Sequence, residues 1–305
     1  MIAPLKKIIV CLDHTHMDQG LIENACELSK IAGTIEITFL NVIKDFNLPE
    51  DMMKEFPDLI DKAIEDRKKE INEQIAAHFD CKHIKTKVLV KQGSETKEIL
   101  KAANDSKSDL VILGRKKVSD SVLSNRIARR SPCNLLVIPE GSKLKFDKIF
   151  IPVDFSDYSL LSLKRTLLLT ESLKSKIYLQ NVFNVPSSYR YSGKSYEEFA
   201  EIMKGHANKD LKVLSKKVTL KNQELIPVFT LDKGENIISL IMKEALKKKV
   251  DLIVMGAKGR TAASALFIGS KSERMIRINN EIPMMIIRKK GAVAGILETL
   301  KETWD

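Results

Sequence analysis

One duplication limits what this chain can become. The segment LKKIIVCLDHT starting at Leu5 returns as FDKIFIPVDFS from Phe146, which sets Asp13 and Asp154 141 positions apart. The offset persists: Val42 ending ITFLNV matches Val182 ending IYLQNV at 140, Gly93 matches Gly234 at 141, and Gly114 ending DLVILG matches Gly256 ending DLIVMG at 142. Four landmarks at nearly one spacing define a tandem repeat of a unit of about 140 residues, an ordinary domain size. The fold must therefore close within that length, and do so twice. Domains at 1–140 and 146–290 follow, with a short polar linker, Glu140 to Lys145, and a tail at 291–305. In the tail Ile296, Leu297, Leu300 and Trp304 recur at helical spacing and predict a short docking helix.

Periodicity orders the elements within each copy. In the first, the pattern predicts strands at Lys7 to Leu12, Ile35 to Val42, Lys85 to Val90, Leu110 to Leu113 and Leu135 to Ile138, with helices at Gln19 to Ala32, Leu59 to Phe79, Glu95 to Ala103 and Val122 to Arg130. The second predicts strands at Ile149 to Val153, Ile177 to Val182, Glu224 to Thr230, Leu252 to Met255 and Met284 to Ile287. Its helices fall at Ser159 to Leu173, Tyr196 to Lys217 and Glu235 to Lys247, and a helical segment opens at Gly269-Ser270. Short apolar strands alternating with helices mean parallel pairing, so each copy is α/β, a five-stranded parallel sheet with helices on both faces. Ligands in such sheets bind beyond the carboxyl ends of the strands, where Asp154, Val182 and Gly256 all sit.

The chemistry is concentrated from Asp251 to Ser270, DLIVMGAKGRTAASALFIGS. A buried strand stops at Gly256; Gly259, a nine-residue spacer and Gly269-Ser270 follow, the last pair opening a helix. Glycines let backbone N–H groups approach an anion, and a helix start adds partial positive charge. Such a loop is shaped to hold phosphate. Asp154 could accept a hydrogen bond from an exocyclic amine or a ribose hydroxyl, or act as a turn acid shared with Ser156 and Ser159.

The pattern G-x-x-G-x(9)-G-S directly after DLIVMG resembles the nucleotide-binding signature of the ATP-binding universal stress proteins, and the similarity runs over essentially the whole chain. It implies two tandem Rossmann-like domains of the adenine nucleotide alpha hydrolase-like kind, and ATP with Mg2+ as the ligand of the second. Carried onto this chain, the family places Asp154 against adenine, backbone at Val182 beside the base, and Met255, Gly256, Gly259, Gly269, Ser270, Lys271 and Ser272 around the triphosphate; Pro152 and Val153 join the candidate site beside Asp154. Lys258 and Arg260 flank Gly259, where positive charge could screen phosphate oxygens, Arg260 being the favoured one; both could equally be exposed loop cations. The resemblance also implies a cytoplasmic regulatory or signalling module of the stress response, acting through a protein partner rather than turnover. The copies are expected to imitate the two-fold dimer of single-domain relatives as an intramolecular pseudo-dimer, with a homodimer of whole chains as a further expectation.

The first copy departs from this pattern. After Gly114 the chain reads RKKVSDSVLSNRIARR: Lys117 replaces the second glycine, the spacer is about six residues shorter, and Ser121-Val122 stands for Gly-Ser. Asp13 remains, but the phosphate half is lost, so one nucleotide site per chain is expected. Cys11, His14 and His16 cluster at the end of the first strand as a thin basis for a metal site with Asp13; buried and solvated roles are the alternatives.

Composition bounds the partners. A net charge of +11 invites nucleic acid, but lysines such as Lys209, Lys212, Lys216 and Lys217 spread over helices and only 6% of residues are aromatic, so solvated helix faces account for the charge. No apolar window approaches the roughly 20 residues of a membrane span and no signal-peptide core is evident, which makes cytoplasm the default. Four cysteines without a CxxC pair read as small buried hydrophobes. Neither G-x-S-x-G, a Walker-type G-K-S/T nor clustered catalytic carboxylates occur, so no enzyme is expected beyond weak ATP hydrolysis; a nucleotide-free interaction scaffold is the competing class. Three of five tyrosines fall in Pro186 to Phe199, an ordered loop with a turn at Gly193, or a lid or partner surface.

Overall fold

The computed structural model describes residues 4–44, 55, 57–117, 122–259 and 268–289. The predicted tail helix and Ser121 lie outside them. The chain divides into two compact units, the first running through Leu144 and the second Lys145–Arg288.

In the N-terminal unit, β1 (Lys7–Leu12), α1 (Met17–Ala32), β2 (Glu36–Ile43), α2 (Leu59–His78), β3 (Lys85–Gln92), α3 (Glu95–Asp105), β4 (Leu110–Arg115), α4 (Val122–Arg130) and β5 (Asn134–Pro139) follow in order. The strands lie side by side as β3-β2-β1-β4-β5, each adjacent pair parallel, with Ile9 opposite Thr38 and Cys11 opposite Leu113. β5 is buried at every position, as a strand covered on both faces must be. Helix α1 turns Leu21, Ile22, Ala25, Cys26 and Leu28 inward, matching its 3.6-residue pattern. Burying side chains such as Phe39, Ile22 and Leu28 contributes about 1.5–3 kcal/mol each.

The C-terminal unit repeats the plan: β6 (Lys148–Pro152), α5 (Asp157–Leu169), β7 (Lys176–Asn184), α6 (Tyr196–Ser215), β8 (Glu224–Asp232), α7 (Ile237–Lys248), β9 (Leu252–Gly256), α8 (Ser270–Ile278) and β10 (Met284–Ile287). Its order is β8-β7-β6-β9-β10, again parallel throughout. Helix starts carry their own stops: Ser156 caps α5 by accepting from the Ser159 amide, Ser195 and Glu198 form a reciprocal capping box on α6, and Asn236 caps α7.

The duplication reaches the backbone dihedrals. His14 and Phe155 both follow their aspartate in the left-handed region, at φ 62° and 63°, and Lys107 and Lys249 share φ 51°. A non-glycine residue seldom adopts this conformation. Asn41 Nδ2 donates to the Leu12 carbonyl (2.8 Å) as Asn181 Nδ2 donates to that of Val153 (2.9 Å), so each copy ties the end of its first strand to the second in one way.

Packing adds detail to the linker and the tyrosine-rich stretch and corrects the reading of two cysteines. The predicted linker is held down, because Asn24 donates to the Ser142 carbonyl and accepts from the Leu144 amide (3.1 and 2.6 Å). Cys26 and Cys81 are not isolated hydrophobes: packing of α1 against α2 brings their Cα atoms to 5.9 Å and they are joined as a disulfide. Neither Cys11 nor Cys133 is in a disulfide. The tyrosine-rich stretch contains a 3-10 turn, Ser187–Tyr191, in which Tyr189 packs edge-on against Tyr196 at 5.5 Å, while Gly193 takes the turn conformation at φ 70°.

Candidate functional site

In the C-terminal unit the chain runs outward from β6 to β8 and then crosses back to β9, so the strand order reverses between β6 and β9. The loops leaving two strands that depart in opposite directions must part there, and a crevice results. A cavity of about 840 Å³ occupies this place.

Pro152, Val153 and Asp154 enter it from the end of β6, Val182 from β7, Met255 and Gly256 from β9, Gly259 from the following loop, and Gly269, Ser270, Lys271 and Ser272 from the start of α8. The structure thus brings together every predicted nucleotide-site residue that it describes; Arg260 lies outside the described residues. Lys258 joins the lining and is buried.

Asp154 is held in place rather than free to swing. Its Oδ1 accepts from the Ser159 hydroxyl at 2.7 Å and from the Ser156 amide at 3.1 Å, and its own amide donates to Ser159 Oγ at 3.0 Å. The turn-acid reading of this aspartate holds, through Oδ1, and the same residue lines the cavity. Gly259 stands against the other oxygen: a Cβ there would lie 2.6 Å from Asp154 Oδ2. At Gly256 a Cβ would meet Tyr158 Cβ at 2.7 Å and backbone of Tyr158 and Lys258 at 3.2 Å, so this glycine is required by close backbone approach.

The phosphate-shaped part is the start of α8. Gly269 is its N-cap and offers no side-chain cap, so the first-turn N–H groups keep their capacity for an anion. The loop is pinned beneath: the Gly269 amide donates to the Ala257 carbonyl at 2.6 Å, the Ala257 amide to Ile287 at 2.8 Å, and the buried Ser272 hydroxyl to the Gly256 carbonyl at 2.7 Å. The arrangement combines a fixed carboxylate, an apolar wall at Val182, Ile237, Ile241 and Met255, and a donor-rich helix start.

Sequence reasoning missed the α6 wall of Met203, His206, Ala207 and Asp210, together with Gln180 and Phe183. The signal was available in part: positions 203, 206, 207 and 210 share one helical face.

The N-terminal copy fills its equivalent place with its own side chains. Asp18, in register with Ser159, accepts from the Asp13 and His14 amides at 3.0 and 3.1 Å and from Arg67 Nη2 at 2.6 Å; both charged partners are buried. Burial drives the Asp18 carboxyl above its ordinary range, against the pull of its hydrogen bonds to the Asp13 amide and Arg67. Lys116 reaches Asp13 at 3.1 Å, and Met17 packs on Gly114, where a Cβ would meet its Cε at 2.9 Å.

The proposed metal ligands separate. The Cys11 thiol is pushed far up by burial, with Cys133 and Glu95 adding to the shift; His14 Nε2 lies 3.4 Å from Glu70, and His16 Nε2 2.7 Å from Glu140. Among the described residues no group of three His, Cys, Asp or Glu side chains could hold a metal ion, and no helix is long and apolar enough to cross a membrane.

Two parallel sheets of order 3-2-1-4-5, the second with a crevice at its switch point, define a tandem α/β protein of Rossmann-like type. The Universal stress protein family matches residues 4–139 and again 145–288, and the chain belongs to that family. Among curated proteins, a universal stress protein of Methanocaldococcus jannaschii, MJ0531, is 29% identical over 161 residues, covering 50% of this chain and 88% of its own. Two solved structures share the fold end to end. A universal stress protein from Archaeoglobus fulgidus superposes with a TM-score of 0.60 at 15% identity, covering 94% of this chain and 98% of its own. The functionally unknown protein PA1789 from Pseudomonas aeruginosa superposes at 0.65 and 12%, covering 98% of both.

Proposed function

We propose that this protein binds ATP, with Mg2+, in its C-terminal domain and acts as a regulatory module of the stress response through a protein partner rather than by turnover. The observation that carries the reading is the contact between Gly259 and Asp154. A loop glycine sits where any side chain would strike a carboxylate already locked by Ser156 and Ser159, and both face one cavity with the uncapped start of α8. These residues fit the ligand. Asp154 Oδ2 and the Val182 backbone can hold the base edge, the α7-side apolar wall its face, and the Ser270–Ser272 amides with Lys258 the phosphates. Mg2+ would arrive with the triphosphate, since it keeps several waters and needs few protein ligands; Ser272 is committed to a carbonyl, which leaves the Ser270 hydroxyl.

One nucleotide per chain is expected, because Arg67 and Lys116 occupy the first copy with ion pairs. A non-enzymatic role in the cytoplasm and pairing of the copies or of whole chains complete the proposal. Mass spectrometry of small molecules released from gently purified protein, followed by ATP titration of wild type and Gly259→Val, tests it. Bound adenine nucleotide lost in the variant supports the reading. No nucleotide and no titratable binding, with or without magnesium, refutes it. Phosphate release in the same samples separates a switch from a slow hydrolase.

A further inference from the structure

A second cavity lies in the N-terminal domain, away from the crevice. It measures about 500 Å³ and opens between the edge strand β3 and helix α3. Its floor is Ile9, Thr38, Leu89 and Ala102.

The other copy reveals what is missing there. Register places Ile9, Thr38 and Lys87 in one row across the first sheet, and Phe150, Tyr178 and Ile226 in the matching row of the second. In the C-terminal domain Tyr178 holds the middle position of this row, and Lys248, from the end of α7, places its ammonium 5.8 Å from the ring centroid. In the N-terminal domain Thr38 stands where Tyr178 would be. At this matched position one copy carries an aryl ring under the end of its helix, and the other carries a threonine on the wall of a cavity.

The rim carries both signs of charge. Lys91 stands next to the last residue of β3 and Lys101 on α3, both on the lining, and among the described residues neither has an ion-pair partner. Glu98 and Asp105 flank Lys101 by one turn each on the same helix. Lys87 is already engaged with Glu36 at 3.0 Å, which holds the Glu36 carboxyl below its ordinary range. Two uncommitted ammonium groups and two carboxylates around an apolar floor suit a zwitterion with a flat apolar body better than a simple anion or cation.

We propose that this groove binds a free aromatic amino acid, its ring on Ile9, Thr38 and Leu89, its carboxylate toward Lys91 and Lys101, and its ammonium toward Glu98 and Asp105. The site is independent of the nucleotide reading, and neither proposal needs the other. The domain would then sense an amino acid while its partner domain holds the nucleotide.

L-phenylalanine is the probe, titrated into the full chain by calorimetry while methyl resonances of Ile9 and Leu89 are followed. Expected is saturable binding with a dissociation constant on the order of 0.1–1 mM, as suits a small ligand in an open groove, with shifts at those methyls. Phenylacetate, which lacks the ammonium, and phenethylamine, which lacks the carboxylate, should each bind roughly fivefold or more weakly. Thr38→Tyr should abolish binding, because the new ring occupies the floor. Should Thr38→Tyr fail to fold, the surface double variant Lys91→Gln/Lys101→Gln decides, with a loss of roughly tenfold expected. Absence of saturable binding by about 10 mM, shifts elsewhere than the groove, or affinity retained in the deciding variant overturns the proposal.

Discussion

Gly259→Ala is the sharpest perturbation the nucleotide reading offers. The new Cβ would lie 2.6 Å from Asp154 Oδ2, about 0.8 Å inside the 3.4 Å at which ordinary contact begins. Loop and carboxylate must separate by that amount. The carboxylate resists, because Ser159 and Ser156 grip its other oxygen at 2.7 and 3.1 Å. Either Asp154 rotates and leaves these donors, or the Gly259 amide retreats from the phosphates. A hydrogen bond to a charged group contributes about 1.5–3 kcal/mol, so ATP affinity should fall by about 10- to 150-fold.

Stability should change far less, since among the described residues the new Cβ would meet only side-chain atoms, those of Asp154. Titration calorimetry of wild type, Gly259→Ala, Asp154→Ala and the double variant forms a cycle. If the glycine acts through the aspartate, the second substitution adds little to the first. Independent, additive losses, or ATP affinity unchanged within about twofold in Gly259→Ala, would refute the reasoning. Gly256→Ala provides the contrast: its Cβ would strike Tyr158 Cβ at 2.7 Å and press on backbone of Tyr158 and Lys258 at 3.2 Å, so it should destabilise the domain by about 1–3 kcal/mol, seen as a lowered denaturation midpoint.

Other expectations concern the first copy. Arg67→Met leaves the Asp18 carboxylate buried without its partner and should cost about 3–5 kcal/mol in urea unfolding. Asp18 already has its pKa raised by burial, and losing Arg67 raises it further; the variant is therefore relatively steadier at acid pH and loses ground as pH rises through that value, which a carboxyl NMR titration of Asp18 checks. Reducing Cys26–Cys81 reopens a loop of 55 residues, worth about 4 kcal/mol in the chain-entropy account, and should lower the Tm of the N-terminal domain. Hydrogen bonds from the Lys117 amide and His16 hold the exposed Glu140 carboxyl below its ordinary 4.5. Their contribution should be present above that value and vanish as pH falls through the lower folded one, a change that Glu140→Gln removes.

Much of the fold is legible in the sequence because the repeat supplies two readings of each element. β1, α4 and β10 fall on their predicted bounds, and Gly93 and Gly234, matched from sequence, both adopt positive φ at equivalent turns. The site is legible where it is local: Asp154, Gly256 and Gly269-Ser270 each follow or open an element that periodicity marks. The α6 wall is not, since which face of a 20-residue helix meets the crevice depends on how the crossover packs. Arg67 and Asp18 are 49 positions apart, and Cys26 and Cys81 are 55 apart. Such pairings are decided by packing of α1 on α2, and no local spacing announces them.

The two copies act as controls for each other. Where the C-terminal domain carries Ser159, a short hydroxyl that steadies Asp154 and leaves the cavity open, the N-terminal domain carries Asp18, whose buried charge demands Arg67. Desolvation accounts for the linkage: a carboxylate cannot remain buried beneath the crevice without a cation, and the cation takes the space a ligand would need. A second exchange occurs one strand over, where the C-terminal domain carries Tyr178 beside Lys248 and the N-terminal domain carries Thr38 on the wall of a cavity. On one duplicated scaffold, single side chains at matched positions thus set the charge and shape of the space around them.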